Sequence, residues 1–100
     1  MRLHSFPTRR SSDLRPVDVF VFDEPTVGVD VGTRAAIYAF IRDLCAAGAA
    51  VVLISSDLPE ILHLTRRVYI FSRGRVRGEI EGKAITEENL LRLFFERQAA

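Results

Sequence analysis

The chain has little of what would fix a structure by covalent or metal chemistry. Its 100 residues include a single cysteine, Cys45, which excludes an internal disulfide and any cysteine-based metal site within the sequence. Because Cys45 falls in a helical apolar pattern, it is expected to serve as a small buried hydrophobe. Long hydrophobic runs are missing as well. The longest candidate, AAGAAVVLI from Ala46 to Ile54, falls well short of the roughly eighteen apolar residues that a membrane helix needs. A soluble or membrane-peripheral chain is therefore expected. The sequence carries no internal repeat, no low-complexity tract and no signal-peptide hydrophobic region. Its formal net charge is only +1.

An apolar content of 48% points to a globular chain rather than a disordered one, and the length suits one small domain or part of a larger one. The first fourteen residues, MRLHSFPTRRSSDL, stand apart from the rest of the chain because they have no apolar period. Within them, His4 to Leu14 resembles the translation of a widely used sequencing-library adapter. Residues 1–14 are thus expected to be adapter-derived and disordered, and residues 15–100 to hold the native fold. Arg9 and Arg10 would otherwise suggest a basic arm for nucleic acid. Without residues 1–14 the net charge is −1, and nothing in the balance asks for a polyanion partner, so no nucleic-acid partner is expected.

From Val17 to Asp23 the run VDVFVFD suits a buried central strand of a parallel sheet, covered on both faces. Asp30 is placed to cap a helix running to about Cys45, with Ala36, Ile37, Phe40, Ile41 and Leu44 on one face and Gly48 as its left-handed stop. Ala50 to Ile54 reads as a second buried strand, which makes a right-handed βαβ unit. Asp57 and Glu60 form a capping box for a short helix containing Pro59 and ending near Leu64. Arg67–Ser72 and Arg75–Ile80 read as a hairpin turning at Arg73-Gly74. Thr86 caps a last helix, with Glu87 and Glu88 at its start, Arg92 and Arg97 nearer its end, and a stripe of Leu90, Leu91, Phe94 and Phe95. The fold class expected is α/β, a parallel sheet with flanking helices.

In open α/β sheets, ligands bind beyond the carboxyl ends of the strands, which is where Asp23 and Glu24 emerge. Phosphoryl transfer from ATP to water needs a carboxylate to hold magnesium and a second group to orient or deprotonate the water, and this pair suits both roles. Strand ends also carry solvated acids, so the pair alone is weak evidence. The residues around it are more specific: Pro25-Thr26, then Gly28-Val29-Asp30, then LISSDLPEI from Leu53 to Ile61, and a closing GRVRGEI.

Together these segments resemble the second, C-terminal ATPase cassette of ABC-type sugar importers of the ribose and monosaccharide class, over everything after Leu14. The resemblance implies a RecA-like P-loop NTPase fold with ATP and Mg2+ as cofactors. It implies Asp23 as the Walker B residue that holds Mg2+ through water, Glu24 as general base and Asp30 as the D-loop acid. Ser56 falls where most such ATPases carry the switch histidine. Serine is shorter and cannot become cationic near neutral pH, which sets hydrolysis at this position in question. His63 lies seven residues further on and is not expected to substitute. The Arg73, Arg75 and Arg77 cluster reads as a solvated hairpin face protected against edge pairing.

The sequence has no G-x-x-x-x-G-K-[ST] phosphate loop, no glutamine loop and no LSGGQ-type signature. The expectation is therefore a C-terminal part of a nucleotide-binding domain that lacks the Walker A strand and is inactive by itself. The resemblance implies as partners a tandem second cassette, membrane permease subunits and, indirectly, a periplasmic sugar-binding protein. Its implied location is the cytoplasmic face of the bacterial inner membrane. Two other readings stay open: a non-hydrolytic regulatory or structural cassette, and a non-transport ABC ATPase of DNA repair or translation.

Overall fold

The computed structural model describes residues 2–8 and 17–99, with side chains described for residues 18–95. The elements run β1 (Arg2–Thr8), β2 (Val17–Asp23), α1 (Val31–Ala46), β3 (Ala50–Ile54), α2 (Leu58–Leu64), β4 (Arg67–Ser72), β5 (Arg75–Glu81), a 3-10 turn at Gly82–Ala84, and α3 (Glu87–Ala99). The chain divides into two compact units, Met1–Ser56 and Asp57–Ala100. Among the described residues, no helix is long and apolar enough to cross a membrane.

The first unit holds a three-stranded sheet in the order β1-β2-β3. β2 and β3 are parallel, with Val19 opposite Ala50 and Asp23 opposite Ile54, as the strand, helix, strand pattern predicts. α1 makes the crossover. Asp30 starts it by accepting the Thr33 N–H at 2.7 Å, and Gly48 (φ 95°) follows its end, its N–H donating to the Cys45 carbonyl at 3.0 Å. Phe22, 0% exposed, anchors the core and meets Phe40 of α1 edge-on, ring centroids 6.2 Å apart.

Burial in this unit is thinner than the apolar runs suggest. Val52 and Ile54 are each 48% exposed because the side chains of β3 alternate, and one set lies uncovered. Of α1 only Ile41 is buried, while Ala36 and Phe40 of the expected inner face are exposed. Cys45 is exposed rather than buried. By spacing its position lies on the apolar side of the helix with Ile37 and Ile41, of which Ile41 alone is buried.

Arg2–Thr8 forms β1 antiparallel to β2, from Arg2 opposite Asp23 to Thr8 opposite Val17. The physical reason is the outer edge of β2, whose ladder of N–H and C=O groups takes up an extended segment irrespective of its side chains. Residues 9–14 lie outside the described residues.

The second unit is built on the hairpin of β4 and β5. Its two turn residues, Arg73 (φ 52°) and Gly74 (φ 76°), both lie in the left-handed region, as a tight type I′ connection requires. Ile70 and Ile80 are buried on the face that α3 covers with Leu90 and Leu93. The expected stripe of α3 is thereby narrowed, since Leu91, Phe94 and Phe95 are exposed. A register shift near Ile70 and Phe71 leaves Arg77 between the pairs Phe71–Val76 and Ile70–Gly78. The bulge turns Val76 to the exposed face beside Phe71, where simple alternation would have pointed it inward. At the far end of that face, Arg67 donates to the Glu81 carboxylate at 3.0 Å and stands 3.6 Å from Glu79.

Candidate functional site

The residues singled out in the sequence converge at one end of the first sheet. Asp23 is the last residue of β2 and is half-buried, in register with Ile54, the last residue of β3. Glu24 leaves the strand with φ 49°, in the left-handed region that few non-glycine residues occupy. Its N–H nonetheless donates to the Ile54 carbonyl at 2.7 Å, so this bond holds the exit of β2 against the end of β3. Backbone strain of this kind, about 1–2 kcal/mol, persists only where its surroundings impose it.

The turn after Glu24 explains how the strain is held. Pro25 and Thr26 are both buried, and the Val27 N–H reaches the Glu24 carbonyl at 3.4 Å. The Val29 N–H returns to the Thr26 carbonyl at 3.4 Å, with Gly28 (φ 76°) between them. This pair of turns delivers Asp30 in an extended conformation (φ −77°, ψ 173°) to the start of α1. Besides its side-chain bond to Thr33, the Asp30 carbonyl accepts the Arg34 N–H at 2.9 Å. The Asp30 carboxyl is held below its ordinary range, chiefly by the Thr33 N–H and also by the Thr33 side chain and the Gly32 N–H.

Ser56 follows β3 by two residues and is exposed, with Ser55 half-buried before it. Parallel strands that end in register send their next residues out at the same end of the sheet. Asp23, Glu24 and Ser56 thus share one rim, and Asp30 leads from that rim into α1. His63 is exposed on α2 in the second unit, and Arg73 and Arg75 are exposed around the hairpin turn.

Among the described residues, no group of three histidine, cysteine, aspartate or glutamate side chains could enclose a metal ion. A single strand-end carboxylate such as Asp23 suits an Mg2+ that keeps most of its waters and takes few oxygens from the protein. Two residues that the sequence places by motif alone are buried in the structure. Thr26 is buried within the site turn, and Glu60 is only 1% exposed on α2. The sequence marks Glu60 as the acid of a capping box, and its N–H does meet Asp57 Oδ1 at 3.0 Å. Nothing in that local pattern distinguishes a solvated carboxylate from a buried one.

No family model matches the chain. Curated relatives do. The chain is 48% identical over 75 residues to the ribose import ATP-binding protein RbsA 2 of Streptomyces coelicolor, covering 75% of this chain and 14% of that protein. It is 46% identical over 76 residues to the L-arabinose transport ATP-binding protein AraG of Geobacillus stearothermophilus, covering 76% of this chain and 15% of that one. An import ATP-binding protein of Albidiferax ferrireducens, named for ribose, galactose and methyl galactoside, is 44% identical over 82 residues, or 82% of this chain and 16% of its own length. The chain therefore spans about one-sixth of the length of the curated relatives it matches.

Proposed function

We propose, for a chain that belongs to the ATP-binding proteins of ABC sugar importers, that residues 15–100 are the C-terminal part of a nucleotide-binding domain. In the whole protein this part would help couple ATP hydrolysis to import of a sugar through a membrane permease. The observation that carries the reading is the in-register ending of β2 and β3, fixed by the bond from the Glu24 N–H to the Ile54 carbonyl. It presents two carboxylates and a serine on one rim of a parallel sheet.

In this reading Asp23 holds Mg2+ through water, and the metal, when bound, supplies charge neutralisation on the phosphates. Glu24 would orient the attacking water and accept its proton from the strained backbone position after β2. Asp30 serves as the D-loop acid toward a second cassette, tandem in the parent chain. Its bond to Thr33 fixes that carboxylate at the helix start. Ser56 occupies the switch position and can donate or accept a hydrogen bond toward a terminal phosphate, without a histidine's charge. The working site is the cytoplasmic face of the bacterial inner membrane, with a periplasmic sugar-binding protein as indirect partner.

The chain by itself is proposed to be inactive, since its sequence has no phosphate loop to grip the β- and γ-phosphates. The test of the assigned roles belongs in an intact relative. Replacing the counterpart of Glu24 by glutamine is expected to lower turnover at that one site by about 10²- to 10⁴-fold. Unchanged turnover there would instead support the second reading, a regulatory cassette that binds nucleotide without hydrolysing it, which Ser56 favours.

A further inference from the structure

Two local preferences meet at Glu24, and both pull against the position it holds. An L-residue other than glycine is strained in the left-handed region, where Glu24 lies at φ 49°. The residue before a proline is pushed further, toward extended backbone of negative φ, and Glu24 is followed by Pro25. One rotation, from positive to negative φ, relieves both.

Opposing that rotation is the bond from the Glu24 N–H to the Ile54 carbonyl at 2.7 Å, whereas the Glu24 carbonyl receives only a long contact from the Val27 N–H at 3.4 Å. The flanks are anchored: Asp23 is in register with Ile54, and Pro25 is fully buried. The strain therefore falls on Glu24 alone. The net contribution of one main-chain hydrogen bond is of the same order as that strain, so neither overwhelms the other. Residues held in this way concentrate at switch regions and active sites.

We infer that Glu24 is a two-position residue, left-handed at the rim while its N–H is tied to Ile54 and of negative φ once that tie opens. Ile54 is then a positioning residue that acts through its carbonyl, and the ring of Pro25 works against it. The inference rests for its consequence on the reading of Glu24 as the group that orients water: the carboxylate is in its working place only while the tie is closed.

Amide exchange in the full chain tests this, with the fully buried Phe22 of β2 as internal reference. Glu24→Gly removes the cost of positive φ and is expected to raise protection at residue 24, relative to Phe22, by about fivefold or more. Glu24→Gln, which alters charge and keeps the backbone preference, is expected to leave protection unchanged and to retain the strong contact between its own amide and Cα protons that marks positive φ. Glu24→Val is expected to lower protection and weaken that contact. Pro25→Ala should raise protection by a smaller factor, read against Phe22 so that general destabilisation at the emptied site cancels.

Unchanged protection in Glu24→Gly, or an equal change at residue 24 and Phe22, would overturn the inference by showing that the tie does not open by itself. Lower relative protection in Pro25→Ala would overturn it too, by making the proline a support of the left-handed position. None of these measurements involves nucleotide. Their failure leaves the assigned chemistry of Glu24 standing, and unchanged turnover of the glutamine variant in an intact relative leaves the tie standing.

Discussion

The two units make their sheets in different ways. In Asp57–Ala100, β4 and β5 are joined by two turn residues, and α3 covers one face, so that Ile70, Ile80 and Leu90 are all buried. In Met1–Ser56, the parallel pair needs a helical crossover, its core centres on Phe22 and Ile41, and apolar residues of β3 are left half-exposed. The proposed site lies in the first unit, Met1–Ser56. A parallel pair ends both strands at the same rim and so can present Asp23, Glu24 and Ser56 together. A hairpin sends its strands in opposite directions and gathers no such rim. The arrangement that creates a site therefore also spreads its stabilising contacts over distant parts of the sequence.

Phe22→Ala should sharpen this contrast most. Loss of a ring that is fully buried in a thin core is expected to destabilise the first unit by about 3–5 kcal/mol. Amide exchange should then rise along β2 and β3 while β4 and β5 keep their protection. Simultaneous loss in both sheets would break the distinction between the units. A smaller effect, confined to the hairpin, is expected from Gly74→Val. A β-branched residue at φ 76° costs about 1–2 kcal/mol, which should appear as faster exchange in β4 and β5 alone.

The smallest effect concerns pH. Asp30 has its folded-state pKa depressed below its ordinary 3.8, so its stabilisation is present above that value and is lost as pH falls through the lower folded value. Acid titration of the Thr33 amide signal should therefore show the α1 cap releasing only below the ordinary aspartate range. Release at or above pH 3.8 would mean that the Asp30 carboxylate does not hold that cap.

Local chemistry made much of this legible from the amino acids. Asp30 and Asp57 as caps, Gly48 as a stop, Arg73-Gly74 as a turn and the parallel relation of β2 to β3 all follow from rules spanning a few residues or one crossover. The departures share another origin. Cys45 lies on the apolar side of its helix yet is exposed, because periodicity says which side a residue takes and not how far the cover extends. Val76 faces outward because of a one-residue bulge at Arg77, which the alternation of RVRGEI does not reveal. β1 depends on an edge supplied by β2, the next strand, rather than on any pattern of its own. At the site, Asp23 and Glu24 were legible as strand-end acids. The strained φ of Glu24 and its bond to Ile54 are products of strand pairing, which no local pattern of DEPT contains.

As proposed, Asp23, Glu24, Asp30 and Ser56 make up one half of a nucleotide site and do not hold nucleotide without the phosphate-gripping half. The most direct test is isothermal titration of MgATP into the 100-residue chain, matched by titration of Mg2+ in the presence and absence of ATP. No saturable ATP-dependent binding is expected. A micromolar dissociation constant, roughly −8 kcal/mol of binding free energy, would contradict the claim by locating a complete nucleotide grip within these residues.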